Sequence, residues 1–362
     1  MSDTRQPEDS TVRYCRENVR QMEGYVPGEQ PRDRQYIKLN TNENPYPPSP
    51  GVERACRAFA FNQLRLYPDP RAGGLRSRAA RLFGLEPDCV LAGNGSDDLL
   101  TLGVRTFVDQ GGALACFDPT YSLYPVLADI QGARTLRIPL DDKFNMPQDA
   151  CRRAAPASLV FVTRPNAPTG KAFALDSMHA FCHGFEGIVW IDEAYADFAD
   201  DQCVDFLRHH PNVVVSRTFS KSYSLAGIRL GLAFARPPLI RQMMKVKDSY
   251  NVGTLPQVLG EAALADQSHM QANVERIRAT RERVRDELNA LGFDVVPSAA
   301  NFLFAAPPVD AAHLMQRLKE HGVLVRYFPG ERTGRYLRIT IGTDEEMDVL
   351  LQRLAELMPV LS

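Results

Sequence analysis

The chain has 362 residues, which is more than one small hydrophobic core usually organises, so we expect a large domain with a smaller one beside it. Its 42 Lys and Arg residues nearly balance 44 Asp and Glu residues, and a net charge of -2 favours neither nucleic acid nor an acidic membrane as a partner. The seven cysteines are scattered and never spaced as C-x-x-C, so neither a disulfide framework nor a metal site is indicated. Small molecules, or a second copy of the chain, are the expected partners.

The N-terminal stretch MSDTRQPEDSTVRYCREN is charged and lacks the apolar region of a signal peptide. No apolar stretch approaches the length of a membrane span. These features predict a cytoplasmic protein.

Helical and strand-like patterns alternate from about residue 75. The proline-rich stretch NENPYPPSP (42–50) predicts an irregular segment, and GSDDLLTLGVRTFV predicts a helix with Ser96 or Asp97 near its start. Short apolar runs, each followed by turn or polar residues, predict the strands ALACFD, SLVFVT, GIVWID, NVVVSRT and LGLAFA. Such runs separated by helices indicate an α/β fold with a largely parallel sheet covered on both faces.

The pattern changes after about residue 250. A long amphipathic helix, QANVERIRATRERVRDELNALG, is followed by the strand patterns FDVVPS, NFLFAA, VLVRYF and YLRITIG and by two more helices. This arrangement predicts a compact α+β unit. We therefore divide the chain into an N-terminal segment (1–40) that packs with the small domain, a large domain (41–265) and a small C-terminal domain (266–362).

Polar residues follow three of the predicted parallel strands, at 163–166, 192–195 and 216–221. Ligands of open α/β sheets bind beyond the carboxyl ends of the strands, so these groups are expected to face one cleft. Lys221 can form a Schiff base with a carbonyl cofactor if its amine is partly desolvated. If that cofactor is pyridoxal phosphate, Asp192 is placed to keep the ring nitrogen protonated and Tyr195 to bond the phenolic oxygen. Taken singly, Asp192 fits a helix cap or turn equally well, and Tyr195 fits a packing role.

A phosphate group needs donors. Gly95 and Ser96 precede a helix, where free backbone N–H groups and the helix dipole can meet an anion. Ser220 and Arg229 flank Lys221 and offer a hydroxyl and a permanent cation. An ordinary turn with Ser96 as the helix cap, and a surface ion pair for Arg229, are alternatives.

A series of motifs, in order, resembles the histidinol-phosphate aminotransferase family of fold-type I enzymes that depend on pyridoxal phosphate. The motifs are KLNTNENPYPPSP, LYPDP, GNGSDD, DPTYSLY, PNAPTG, DEAYADF, SRTFSKSYSLAGIRLG, NVGTLPQ, ANFLF, GVLVRYF and LRITIGTDEE. The motifs lie between residues 38 and 346, and the resemblance as a whole covers about residues 25 to 355. The resemblance implies a large domain with a mainly parallel, seven-stranded type of sheet between helices and a smaller α+β C-terminal domain.

The resemblance also implies roles for individual residues. Lys221 corresponds to the lysine that bonds to the cofactor and then moves the proton at the substrate's α-carbon, with Asp192 as the partner of the ring nitrogen and Tyr195 as the donor to the phenolic oxygen. The remaining cofactor ligands that it implies are Gly95, Ser96, Ser220 and Arg229 at the phosphate, Tyr121 stacked on the ring, and Tyr67 reaching the cofactor of the neighbouring subunit. The last of these roles implies a homodimer with shared active sites.

One position departs from the family pattern. The asparagine that usually precedes P-T-G, and bonds the phenolic oxygen opposite the tyrosine, is Ala167 here. Either Asn166 takes over this role or Tyr195 acts alone. We expect a working enzyme with a shifted pH profile, since this hydrogen bond tunes a pKa rather than making or breaking bonds.

Two arginines of the last domain are implied substrate ligands. Arg338 corresponds to the arginine that binds the anionic group of the substrate, and Arg326 is the second arginine near that pocket. Bidentate arginine suits a carboxylate or a phosphate in a partly dry site. Tyr25 and Asn44 are further candidates for the substrate pocket, although turn and packing roles fit them equally well.

The implied activity belongs to histidine biosynthesis: L-histidinol phosphate and 2-oxoglutarate become imidazole acetol phosphate and L-glutamate by ping-pong transamination. Aromatic or specialised biosynthetic aminotransferases and threonine-phosphate decarboxylases share the same motifs and remain alternatives. A hypothesis of another class is a protein of this fold that binds pyridoxal phosphate without turnover. The intact set of Lys221, Asp192, Tyr195, Arg229 and Arg338 argues against it.

Overall fold

The structure is a computed structural model that describes residues 10–361, so the first nine residues of the predicted N-terminal segment (1–40) lie outside the described residues. Its strands are β1 (Ile37–Leu39), β2 (Val90–Gly93), β3 (Ala113–Asp118), β4 (Arg134–Pro139), β5 (Leu159–Thr163), β6 (Ile188–Asp192), β7 (Val213–Thr218), β8 (Gly231–Ala235), β9 (Asp294–Val296), β10 (Phe302–Ala306), β11 (Val323–Tyr327) and β12 (Leu337–Thr340).

The α-helices surround two sheets. They are α1 (Glu17–Gln21), α2 (Pro50–Ala58), α3 (Gly73–Leu82), α4 (Ser96–Phe107), α5 (Leu123–Gln131), α6 (Ala150–Ala154), α7 (Leu175–Gly184), α8 (Phe206–His209), α9 (Pro237–Val246), α10 (Thr254–Ala265), α11 (Gln267–Ala290), α12 (Ala311–Glu320) and α13 (Asp344–Leu361). Short 3-10 turns occur at Ser10–Tyr14, Phe61–Arg65, Pro87–Cys89, Ala196–Phe198 and Ala226–Ile228.

The larger sheet has seven strands in the order β2-β8-β7-β6-β5-β3-β4. The strands from β7 to β4 pair in parallel, and only β8 runs antiparallel to its neighbours β2 and β7. Every residue of β5 and β7 is buried, as expected for strands that helices cover on both faces. The predicted fold class, an α/β fold with a mainly parallel seven-stranded sheet, is confirmed.

The second sheet has five strands in the order β1-β11-β12-β10-β9. Its apolar face packs against α11, α12 and α13 in a separate hydrophobic core. Strand β1 comes from the N-terminal part of the chain and pairs in parallel with β11. The N-terminal segment therefore contributes a strand to the small α+β unit, while the predicted domain limits themselves stay a prediction.

The proline-rich stretch 42–50 has no regular structure up to Ser49, whose side chain caps α2 by accepting a hydrogen bond from the Val52 amide at 3.3 Å. Proline suits the first turn of a helix, which explains why α2 begins at Pro50. Between residues 10 and 361 there is no helix both long and apolar enough to cross a membrane. Nor do His, Cys, Asp or Glu side chains of the same residues gather in a group of three or more that suits a metal ion.

Candidate active site

A cleft of about 380 Å³ lies where the carboxyl ends of the central parallel strands face the small sheet. Thr163, Asp192 and Thr218 end the adjacent strands β5, β6 and β7, and all three line this cleft. Parallel register brings these ends together, because Thr163 pairs with Asp192 across the β5–β6 ladder. The opposite wall comes from β11, β12 and the segment that leads into β1.

Lys221 lies three residues beyond β7 and lines the cleft. Its Nζ donates a hydrogen bond to the carbonyl oxygen of Thr41 at 3.1 Å and lies 5.8 Å from the centre of the Tyr195 ring. Burial, helped by the positive charge of Arg338, lowers the pKa of Lys221 to about 8, although Glu43 partly opposes this effect. A large fraction of this amine is therefore neutral just above neutral pH, as a nucleophile or a base requires.

Asp192 is 3% exposed and is held by two hydroxyl groups. Tyr124 donates to one carboxylate oxygen at 2.9 Å and Ser216 donates to the other at 3.2 Å. Burial raises the pKa of Asp192 to about 6, while these hydrogen bonds act in the opposite direction. A carboxylate fixed in this way, at the floor of a cleft, is suited to hold a cationic ring nitrogen.

Tyr195 is buried, and its ring meets Phe302 edge to face at a centroid distance of 5.1 Å. Its hydroxyl oxygen accepts a hydrogen bond from the side-chain amide of Asn42 at 2.9 Å. Burial raises the pKa of Tyr195, so the phenol stays protonated and acts as a donor at neutral pH.

The start of α4 forms one end of the cleft, and its polar groups fit a phosphate. The hydroxyl of Ser96 is buried and has no hydrogen-bond partner among the residues that the structure describes. The backbone of Gly95 has φ +88°, and a Cβ there would lie 2.8 Å from the guanidinium of Arg229. Ser220, which is 8% exposed, lines the same end of the cleft. Together these groups form a cradle at a helix N-terminus that contains the unpaired hydroxyl of Ser96, which suits an anion.

A neighbouring carboxylate partly balances the charge of Arg229. Its guanidinium pairs with Asp97 at 3.2 Å, and both side chains are about half exposed. The hydroxyl of Tyr121 donates to the other oxygen of Asp97 at 3.2 Å. This links the ring of Tyr121, which lies along the cleft wall, to the phosphate end of the site.

The structure does not support Asn166 as a cofactor ligand. Asn166 is fully buried beside the cleft, and its amide nitrogen donates to the carbonyl oxygen of Pro119 and to the hydroxyl of Thr169, each at 3.0 Å. Its side-chain oxygen accepts from Thr120 at 3.0 Å. Because these bonds use both amide hydrogens, the side chain is not available to turn towards the cleft. The neighbouring Ala167 lines the cleft instead.

Arg338, on β12, lies in the cleft opposite Lys221. It donates to the carbonyl oxygen of Asn40 at 3.0 Å, and its guanidinium carbon lies 5.4 Å from the Phe302 ring centre and 5.1 Å from that of Phe328. Its Nε is buried and lacks a hydrogen-bond partner within residues 10–361. Burial lowers the pKa of Arg338, so an anion beside it would relieve an unfavourable desolvation.

Arg326 pairs with Arg338 across the β11–β12 ladder and also lines the cleft. Its guanidinium donates to the carbonyl oxygens of Val26 and Pro27, each at 3.2 Å. Tyr25 belongs to the same N-terminal segment and packs edge to face on Tyr121 at 5.6 Å. Arg326 therefore holds this segment over the cleft as well as facing it.

Two predicted site residues lie outside the cleft wall. The side chain of Asn44 donates to the carbonyl oxygens of Lys221 and Ser222 at 3.0 and 3.2 Å, so it supports the backbone at the lysine and does not face the substrate space. Tyr67 is 81% exposed and stacks on Tyr250 with a ring distance of 4.5 Å. Its position is on the outer surface of this chain.

Sequence reasoning missed three residues that shape the site: Asn42, Asp97 and Tyr124. Asp97 and Tyr124 each lie inside a motif used for a neighbouring residue, GNGSDD and DPTYSLY, and Tyr124 lies three residues after Tyr121. Asn42 lies in the irregular stretch before α2, where no periodic pattern predicts which side chains are buried.

The chain resembles known proteins along nearly its whole length. Residues 34–354 match the family model of aminotransferase class I and II. A histidinol-phosphate aminotransferase of Synechocystis sp. is 50% identical over 94% of this chain and 97% of its own, and one of Microcystis aeruginosa is 46% identical over 95% and 98%. The crystal structure of a histidinol-phosphate aminotransferase from Sinorhizobium meliloti in complex with pyridoxal-5'-phosphate has a TM-score of 0.85 and 28% identity over 91% of this chain and 93% of that one.

Proposed function

This chain belongs to the aminotransferase class I and II family, and from that premise we propose that it transfers the amino group of L-histidinol phosphate to 2-oxoglutarate with pyridoxal 5'-phosphate as cofactor. The observation that carries the proposal is that Lys221 and Asp192 line one cleft that also contains two arginines. Its relatives, named as histidinol-phosphate aminotransferases, support this substrate over the decarboxylase and aromatic alternatives and support turnover over binding alone.

When bound, pyridoxal phosphate supplies an electron-withdrawing ring that stabilises negative charge on the substrate carbon that loses its proton. Asp192 holds a proton on the ring nitrogen, and Tyr124 and Ser216 fix the orientation of its carboxylate. A positive ring nitrogen beside Asp192 would lower the pKa of this carboxyl again, so the pair is stable as an ion pair in the buried site. Tyr195 donates to the phenolic oxygen of the ring.

Lys221 would hold the carbonyl group of the cofactor, and its amine would move the proton at the substrate's α-carbon. Its lowered pKa suits it for this role, because a neutral amine is needed to accept that proton. The backbone hydrogen bonds from Asn44 fix the chain where the lysine leaves the strand end. Gly95 and Ser96 at the start of α4, together with Ser220 and Arg229, would hold the cofactor's phosphate.

The anionic group of either substrate binds at Arg338, with Arg326 close by. The unpaired Nε of Arg338 and its lowered pKa both favour an incoming anion. One cationic pocket serves the phosphate ester of histidinol phosphate and a carboxylate of glutamate or 2-oxoglutarate in turn. Tyr25 and Tyr121 form the aromatic wall beside it.

The proposed assembly is a homodimer. Phe61, Leu64, Leu66 and Tyr67 are all more than half exposed within residues 61–67, and Tyr67 stacks on the partly exposed Tyr250. An exposed apolar patch of this kind is typical of an interface. In the dimer Tyr67 reaches the cofactor phosphate of the partner subunit. The cytoplasmic location expected from the sequence stays a prediction.

The proposal is tested by the absorbance of the purified holoprotein before and after addition of L-histidinol phosphate, with no keto acid present. We expect the visible band of the bound cofactor to disappear and to return when 2-oxoglutarate is added, because the two half-reactions use one site in turn. The same measurement with an aromatic amino acid as the donor is the matched control.

Loss of the band with glutamate or aromatic amino acids, but not with L-histidinol phosphate, would contradict the substrate and leave the chemistry intact. Release of carbon dioxide from threonine phosphate without any keto acid would contradict transamination itself.

A further inference from the structure

Asn42 makes a buried contact that no part of the proposed mechanism uses. Its side-chain amide donates to the hydroxyl oxygen of Tyr195 at 2.9 Å, and Asn42 itself is 1% exposed. The two residues are 153 positions apart, so the bond joins the segment after β1 to the end of β6. Both residues line the cleft.

The surroundings fix the orientation of this amide. The hydroxyl of Thr340 donates to the side-chain oxygen of Asn42 at 2.9 Å and accepts from its backbone amide at 3.0 Å. Asn301 donates to the backbone carbonyl oxygen of Asn42 at 3.1 Å. Because its oxygen is already engaged by Thr340, the NH₂ group of Asn42 must point at Tyr195. The backbone has φ 58°, a conformation that asparagine tolerates better than most residues.

This bond has two effects on Tyr195. The donated hydrogen occupies the hydroxyl oxygen, so the phenol's own hydrogen is directed elsewhere, into the cleft. It also polarises the phenol O–H group, which makes Tyr195 a stronger donor, since hydrogen bonds in a chain reinforce one another in a buried site.

The chain lacks the second donor that the resemblance leads one to expect opposite the tyrosine. Ala167 lines the cleft at that position with a methyl group, and both amide hydrogens of the neighbouring Asn166 are donated elsewhere. A single donor must therefore serve the phenolic oxygen of the ring. Asn42 donates a hydrogen bond to the hydroxyl of this donor, Tyr195.

We propose that Asn42 is a positioning residue that makes Tyr195 the donor to the cofactor's phenolic oxygen, in place of the asparagine missing at position 167. The inference rests on the proposed function, because it concerns the same cofactor site. The quantity that tests the proposal is the pH midpoint at which the visible absorbance band of the holoprotein shifts. That midpoint reports the proton shared between the phenolic oxygen and the nitrogen of Lys221, and a donor to the oxygen weakens its hold on the proton and so lowers the midpoint.

The first experiment compares the midpoint of the wild-type holoprotein with that of Asn42→Gly and Asn42→Asp. Glycine keeps the φ 58° backbone without strain and removes the amide, so the midpoint should rise by roughly half a pH unit. Aspartate keeps a side chain of the same shape but accepts the hydrogen of Tyr195, so its midpoint should rise further.

The second experiment separates a role through Tyr195 from a general loss of structure. In a Tyr195→Phe background, Asn42→Gly should cause no additional rise, because the group that Asn42 acts on is absent. Adding Ala167→Asn to the Asn42→Gly variant should return the midpoint towards the wild-type value, because an amide again faces the ring.

An unchanged midpoint in Asn42→Gly, or an equal rise with and without the Tyr195 hydroxyl, would overturn the inference and leave Asn42 with a structural role only. A wild-type holoprotein without a visible band that depends on Lys221 would instead overturn the proposed function. The two failures are therefore distinguishable.

Discussion

Lys221 combines burial with an unusual electrostatic setting. Burial and the positive charges of Arg338 and Arg229 lower its pKa to about 8, and Glu43 and Asp97 only partly offset them. A lysine with the ordinary pKa of 10.5 would be almost fully charged at neutral pH and a poor nucleophile.

The rate at which the cofactor-free protein captures pyridoxal phosphate should therefore depend on pH with a midpoint near 8. The rate rises with pH because only the neutral amine attacks, and it levels off once Lys221 is deprotonated. Stopped-flow absorbance measures this rate from pH 6 to 11. A midpoint near 10.5 would show that the amine is solvated and would contradict the environment described for it.

The matched variant Lys221→Ala should fold normally and form no covalent band. The side chain makes one hydrogen bond, to the Thr41 carbonyl oxygen, so its loss should change the free energy of unfolding by only about 1 kcal/mol. Thermal unfolding checks the fold and absorbance checks the band. Near-normal turnover by this variant would rule out the proposed mechanism.

Sequence reasoning identifies residues at strand ends better than residues that act through long-range contacts. Lys221 and Asp192 follow apolar runs, and topology alone brings them to one edge of the sheet. Tyr124 and Asn42 contribute to the site through hydrogen bonds to residues 68 and 153 positions away. Periodicity in the sequence does not predict such long-range contacts. Asn166 is a predicted ligand that local contacts exclude. Its amide hydrogens are already donated to Pro119 and Thr169, which the sequence does not show.

Whole strands differ in the same way: buried strands with continuous apolar runs are predicted well, and short or polar edge strands are missed. The fully buried strands β5 and β7 are continuous apolar runs, and the sequence predicts them almost to the residue. The edge strand β4 has the sequence RTLRIP with its two arginines exposed, so it lacks such a run, and the strand prediction misses it. Strand β2, at the other edge, has only four residues and is missed as well.

The segment around residues 25–30 covers the cleft without regular secondary structure, so its position depends on side-chain contacts from the small domain. Arg326 bonds the carbonyl oxygens of Val26 and Pro27 from the cleft side. Lys319 forms an ion pair with Glu29 on the outer side. These two contacts allow the role of Arg326 in holding the segment to be separated from its proposed role towards substrate.

The variant Arg326→Met should speed hydrogen exchange of the amides in residues 25–30 several-fold and raise KM about tenfold, because both charge-assisted bonds to the segment are lost. Lys319→Met is the matched control and should leave KM unchanged, since its ion pair is exposed and outside the cleft. Mass spectrometry measures the exchange. A raised KM with unchanged exchange in Arg326→Met would mean that the arginine contacts substrate without holding the segment.

At the scale of the whole molecule, one chain leaves several large apolar side chains exposed near α3. Phe61 and Tyr67 are 82% and 81% exposed, and Leu64 is 52% exposed, although all three are large apolar or aromatic side chains. They precede α3, which packs against α10. A second copy of the chain would remove this surface from water and bring Tyr67 to the partner subunit's cofactor site.

We expect the wild-type protein to sediment as a dimer at micromolar concentration and Leu64→Asp to sediment as a monomer, because a charge at the centre of the patch must be desolvated on association. Val360→Asp is the matched control: Val360 is 75% exposed on α13, outside residues 61–67, and its replacement should leave the dimer intact. The monomeric variant should also bind pyridoxal phosphate more weakly, because the Tyr67 of a partner no longer reaches the phosphate. Analytical ultracentrifugation and a titration with the cofactor measure the two effects.

A Leu64→Asp protein that remains dimeric would place the interface elsewhere, and a monomer with undiminished cofactor affinity would leave Tyr67 without a role across the interface.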